Sequence, residues 1–212
     1  MNASKLSIGV RWFPRRKETF TKMAKTIQLP FVVYPDGKEF RLPTDAPVKY
    51  LGETKGCFRH WYRVLQDLTE QGTEYVAALE DDIIYSPKWF EVIEEKLSLS
   101  ETGTVALFTP TGIAKRYGWS DGWHEVNEGW ASTWGGSYIM KTEVAKQILE
   151  SDYLRNHYDN YKLNQQIDHA IPEAVHRLGL KQWLRVPSLV NHIGYTSTIG
   201  HRHRPEDEGY KF

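Results

Sequence analysis

Apolar positions follow two periods along this chain, and the periods alternate. "LSIGVRW" (6–12) is rich in β-formers at period two and predicts a strand. Phe20, Met23, Ala24 and Ile27 then fall at helical spacing, and Pro30 ends that helix. "FVVYPDG" (31–37) predicts a strand running into a Pro-Asp-Gly turn. Phe58, Trp61, Tyr62, Leu65 and Leu68 mark one face of an amphipathic helix, with Gly56 just ahead of it. "EYVAAL" (74–79) is an unbroken apolar strand, the kind buried on both faces of a parallel sheet. Ser86 and Pro87 predict an N-cap and first helical residue, opening a helix through Phe90, Ile93 and Leu97. "TVALFT" (104–109) reads as another buried strand, and residues 111–131, rich in Gly and Trp, as a long loop. "SYIM" (137–140) is a strand, Thr142 caps a helix to about Leu149, a further helix ends near Gly179, and "QWLRV" (182–186) is the last strand.

Strands alternating with helices predict an α/β fold, with a mostly parallel central sheet flanked by helices. Ligands of such sheets sit at the carboxyl ends of the strands. One sequence feature falls at that place. Glu80, Asp81 and Asp82 follow directly on the apolar strand 74–79.

Composition narrows the setting. The 212 residues suffice for one domain with a sizeable core, or two very small ones. Twenty-seven basic and 27 acidic residues cancel, so no overall charge favours nucleic acid or an anionic membrane as partner. The single cysteine, Cys57, excludes an internal disulfide framework and fits a reducing, cytoplasmic compartment. The first residues hold no apolar stretch of signal-peptide length. No run approaches the roughly 20 apolar residues of a membrane span. Eight Trp and 12 Tyr suit either a large aromatic core or a platform for sugar faces.

The acidic triplet has two readings. It is a solvated turn in which Asp81 or Asp82 bonds local backbone, or it is a cation site. Three carboxylates at the mouth of a buried strand repel one another. A divalent ion relieves that repulsion, and oxygen ligands suit Mg²⁺ or Mn²⁺, which take remaining ligands from water and phosphates. A metal–diphosphate site is then the expected chemistry.

"LEDDIIYSPKWFEVI" (79–93) resembles the acidic motif of GT-A glycosyltransferases, closest to N-acetylglucosaminyltransferase-like members. The resemblance implies Mn²⁺ or Mg²⁺ held by Asp82, with Glu80 and Asp81 touching a nucleotide-sugar donor. "WGGSYIM" (134–140) resembles the family's glycine loop, which puts Gly135 and Gly136 against the donor. A tight turn or bulge is the alternative for that pair. "QQIDHAI" (165–171) resembles the helix start where inverting members keep a catalytic base, here Asp168. It departs from the pattern at Ile167, where a second acid is usual, and at Pro172, which lacks an N–H for the first turn. "PSLVNHIGYTSTIGH" (187–201) resembles the segment whose histidine, here His192, completes the metal shell. By the same likeness Arg11 and Asp36 hold the nucleoside, and Lys55 and Arg59 stand near a helix N-terminus suited to phosphate, or else on a solvated surface.

Residues 1–212 are then expected to form a single GT-A domain, whole or part of a longer chain. The implied activity is transfer of a sugar, from a UDP-sugar by preference, to a hydroxyl of a glycan or glycoprotein, with neither nucleic acid nor a membrane span involved. The chain is also similar to the N-terminal domain of chlorella-virus glycosyltransferases, which implies a host cytoplasm. The stereochemistry stays open, because a retaining enzyme needs no base at Asp168. A sugar nucleotidyltransferase is the second reading, although "RWFPRRKETF" (11–20) has the basic residues of its phosphate loop without the glycines. A carbohydrate-binding module is the third, and would be predominantly β.

Overall fold

The computed structural model describes residues 5–37, 42, 44–54, 56–99, 104–126, 137–160 and 167–193. Lys55, Gly135 and Gly136 therefore lie outside the described residues, as do Trp130, Trp134 and the tail from residue 194.

The strands are β1 (Leu6–Trp12), β2 (Val32–Pro35), β3 (Tyr75–Glu80), β4 (Ile83–Tyr85), β5 (Thr104–Ala106), β6 (Gly122–Val126), β7 (Tyr138–Lys141), β8 (Gln182–Val186) and β9 (Val190–His192). The helices are α1 (Lys17–Thr26), α2 (Cys57–Thr69), α3 (Trp89–Leu99), α4 (Thr111–Arg116), α5 (Thr142–Glu150), α6 (Asp152–Asp159) and α7 (Ile167–Arg177). Seven strands form one mixed sheet in the order β2-β1-β3-β7-β5-β8-β6, in which β7 and β6 run against the others. β4 and β9 pair separately and antiparallel.

Alternation along the central strands divides the core in two. Val76 and Ala78 join Phe58, Trp61, Leu65, Ile148 and Ile171 beneath α2, α5, α6 and α7. Ile8, Val10, Ala77 and Leu79 join Phe20, Met23, Trp89 and Ile93 beneath α1 and α3. Helices on both faces do not fit the mostly β architecture of a carbohydrate-binding module.

Gly9 lets α2 lie close on β1. A Cβ there would stand 2.8 Å from Tyr34, 2.9 Å from Val64 and 3.0 Å from Leu68. All three side chains are fully buried. Gly9→Ala is therefore expected to destabilise the fold by about 1–3 kcal/mol through overpacking. Urea denaturation measures this, and an unchanged midpoint would contradict the packing.

Several sequence expectations are corrected. Helix α3 begins at Trp89, not at Pro87, because Lys88 takes a left-handed backbone (φ 60°) that interrupts the turn begun by Ser86 and Pro87. Thr142 does not cap α5. Lys141 holds the N-cap position, and the Thr142 hydroxyl donates to the Thr73 carbonyl at 2.6 Å. The expected loop 111–131 contains α4 and the edge strand β6. The last strand is β9, which follows "QWLRV".

Candidate functional site

The parallel strands bring their carboxyl ends to one edge of the sheet. Arg11 near the end of β1 stands beside Glu80 at the end of β3. The chain re-enters the sheet there at Tyr138, opposite Ala78 and Ala106. Ser137, next after the glycine pair, accepts from the Glu80 backbone N–H at 3.2 Å.

A non-local ladder completes this edge. Directly after the triplet, Ile83, Ile84 and Tyr85 pair with His192, Asn191 and Val190. The Ile193 N–H donates to the Asp82 carbonyl at 2.8 Å. This pairing places His192 Nε2 3.1 Å from Asp82 Oδ2. Glu80, Asp82 and His192 thus form a group whose ligand atoms all lie within 4.8 Å of one another. Ligands about 2.1 Å from a shared ion stand up to ~4.2 Å apart, so a small contraction would let the three meet on one cation. Two carboxylates and an imidazole are a donor set that can hold a divalent cation. Asp82 is 1 % exposed, and neither of its side-chain oxygens has an aligned hydrogen bond among the described residues.

Two arginines share the negative charge. Arg11, 1 % exposed, donates to Glu80 Oε1 at 2.9 Å and to the Cys57 carbonyl at 3.2 Å. Arg16, on the 3₁₀ turn Pro14–Arg16, approaches Asp81 Oδ1 at 3.1 Å and Asp82 Oδ2 at 2.5 Å. The Phe13 N–H donates to Asp81 Oδ2 at 2.7 Å. The sequence does not single out Arg16 as a site residue; only the basic character of "RWFPRRKETF" points to it.

These contacts set the ionisation. Burial and the Asp82 charge push the Asp81 carboxyl up to about 7, with Arg16 and the Phe13 N–H only partly offsetting them. Burial also opposes a charged Asp82, but His192, Arg16 and Arg11 outweigh it and hold this carboxyl below its ordinary value. Burial disfavours a charged His192, yet Asp82 and Glu80 prevail and raise it.

The pH dependence of the metal-free protein follows. Raised His192 contributes stability below its unfolded value of 6.5, and that stability is lost as pH rises through the folded value. Asp81, raised from 3.8 to about 7, binds its proton more tightly when folded, so stability falls as pH rises across that window. Lowered Asp82 contributes stability above its unfolded 3.8, and loses it only on the acid side. The metal-free protein is thus expected to melt lower at pH 8 than at pH 6, by about 2–4 °C for each kcal/mol lost. Thermal melting in a chelator measures it, and a melting temperature that rises over this range would contradict the site electrostatics.

The other candidates divide. Asp36 is half-buried at the end of β2, where its Oδ1 accepts from Thr54 at 2.8 Å. Asp168 is half-buried in the first turn of α7. Its charge, with those of Arg11 and Glu80, is felt at Cys57, whose thiol burial pushes up. Arg59 stands in the first turn of α2. Its Nε donates to the Tyr158 carbonyl at 2.7 Å and its guanidinium lies over the Tyr158 ring, because the first turn of α2 faces the end of α6. No helix among the described residues is long and apolar enough to cross a membrane.

The helix-flanked mixed sheet, with its acidic group at the carboxyl edge, has a GT-A-like fold. It is similar to the crystal structure of S. aureus TarS 1-349, with a TM-score of 0.60 and 12% identity over 90% of this chain and 61% of that one. A second structure of S. aureus TarS gives 0.59 and 13%, over 88% of this chain and 36% of that one. The chain therefore spans less than two thirds of either TarS chain, and at these identities the likeness is one of fold. No protein-family model matches the sequence, and no curated protein matches it.

Proposed function

We propose that this chain is a metal-dependent glycosyltransferase that moves a sugar from a UDP-sugar to a hydroxyl of a glycan or glycoprotein. The observation that carries this reading is the β4–β9 ladder, which delivers His192 to Asp82 at the ligand-binding edge of a GT-A-like sheet. Asp82 and His192, with Glu80 beside them, would hold Mn²⁺ or Mg²⁺. Such an ion, when bound, supplies Lewis-acid stabilisation of a leaving diphosphate.

The remaining work falls to the chain's own residues. Asp36 and Arg11 line the nucleoside end, with Arg11 also fixing Glu80. Asp81, tied to the Phe13 N–H, keeps the turn after β1 against the triplet. Lys55, Gly135 and Gly136 remain proposed donor contacts on the sequence resemblance. In the transfer, the acceptor oxygen bonds to the anomeric carbon and the carbon–oxygen bond to the diphosphate breaks. The electron pair leaves with the nucleotide, and where the acceptor attacks from the face opposite the diphosphate, so that the anomeric centre inverts, the Asp168 carboxylate takes the hydroxyl proton. The glycoprotein acceptor and a viral, host-cytoplasmic setting rest on the chlorella-virus resemblance of the sequence.

A panel of UDP-, GDP- and CMP-sugars with Mn²⁺ tests the proposal. A donor at 100 times its dissociation constant should add about 2.7 kcal/mol of stability. UDP-sugars are expected to give this shift, and transfer to a glycan acceptor should release UDP. Pyrophosphate formed from UTP and a sugar 1-phosphate, without transfer, would indicate a nucleotidyltransferase instead.

A further inference from the structure

Arg16 occupies the approach to the oxygen that a cation would need. Its Nη1 meets Asp82 Oδ2 at 2.5 Å, and His192 Nε2 meets the same oxygen at 3.1 Å. The guanidinium also spans to Asp81 Oδ1 at 3.1 Å. Arg11 is already committed to Glu80 and the Cys57 carbonyl. Among the described residues Arg16 is the cation that bridges both buried aspartates, with His192 beside it on Asp82 alone. A divalent ion arriving at Asp82 Oδ2 competes with the guanidinium there, because two positive charges at that separation repel one another in a water-poor site.

The surroundings allow Arg16 to leave. The turn that carries it is held by its backbone, with the Arg16 N–H on the Phe13 carbonyl at 2.8 Å and the Phe13 N–H on Asp81 at 2.7 Å. The side chain is 17 % exposed, against 1 % for both aspartates, so it reaches the site from the solvent side. It can swing without unwinding α1. A guanidinium that gives up a carboxylate at a diphosphate site has a ready second partner, since its planar fork pairs with phosphate as well as with carboxylate.

We propose that Arg16 is an internal counterion that neutralises Asp81 and Asp82 before the cation binds, yields Asp82 to the cation, and then pairs with the diphosphate of the incoming nucleotide. Metal and nucleotide binding are thereby coupled through one side chain. The inference rests on the metal–diphosphate reading of the site.

The test is Mn²⁺ titrated into metal-free protein, with free Mn²⁺ followed by electron paramagnetic resonance, with and without UDP. In the wild type, Mn²⁺ alone should bind weakly and UDP should tighten it. Arg16→Gln should bind Mn²⁺ alone roughly tenfold tighter or more, since the competing charge is gone. Its gain from UDP should shrink. Equal or weaker Mn²⁺ affinity in Arg16→Gln, beside clear binding in the wild type, overturns the role of Arg16 and leaves the metal site standing. Absence of Mn²⁺ binding in both, with and without UDP, overturns the metal reading and this inference together. Arg16→Lys keeps the charge should the Gln variant fail to fold. It should retain the weak affinity for Mn²⁺ alone and lose part of the UDP coupling, because an ammonium lacks the fork. Full wild-type coupling in Arg16→Lys would contradict the diphosphate contact.

Discussion

Asp82→Ala is expected to abolish Mn²⁺-dependent nucleotide binding while the protein stays folded. Even an outer-shell partner of a metal ligand is typically worth 10–100-fold in affinity, and a charged ligand carries more than that. Asp82 is buried, its backbone carbonyl anchors the start of the β4–β9 ladder, and that bond survives the substitution. The lost side chain also leaves Arg16 with Asp81 alone, so the remaining charges stay paired. Calorimetry of UDP with Mn²⁺, beside circular dichroism for the fold, measures the effect. Wild-type affinity in a folded Asp82→Ala protein would remove Asp82 from the site.

Asp168→Asn carries the second large expectation. If the Asp168 carboxylate receives the acceptor proton, the substitution should lower turnover by roughly 10²–10⁴. Donor affinity should barely change, since the proton moves only in the transition state. Asn keeps the size of Asp, and at the second residue of α7 it gives up only the charge that favours the helix start, a loss of about 0.3–1 kcal/mol, which is small beside the expected loss of the base. Asp168 stands in the first turn of α7, and its charge, like that of Glu80, helps to raise the Cys57 thiol that burial pushes up. Near-normal turnover of Asp168→Asn with a competent acceptor would point to a retaining mechanism or another carboxylate.

The sequence made the scaffold legible and the site only in part. β3 and its triplet could be read because an unbroken apolar run ends in three carboxylates. α2 could be read because five apolar residues keep one helical face. β4 and β9 could not, since each has three residues and their pairing joins segments about 110 residues apart. His192 was reachable only through resemblance, and the ladder supplies its physical reason. Arg16 escaped because nothing local marks which basic residue of "PRRK" turns inward. The contact of Arg59 with the Tyr158 carbonyl was not legible either, because it comes from the tertiary packing of α2 on α6. α6 did carry a local signal in Ser151, whose side chain caps it by accepting from the Leu154 N–H, yet its polar sequence hid the helical period.

The most direct measurement of the central claim is calorimetric titration of UDP into the wild-type protein, first with Mn²⁺ and then with the metal chelated. A GT-A-type site built on Asp82 and His192 predicts saturable UDP binding with Mn²⁺ and its loss on chelation. UDP binding of equal affinity in the chelated protein, or none under either condition, would contradict it.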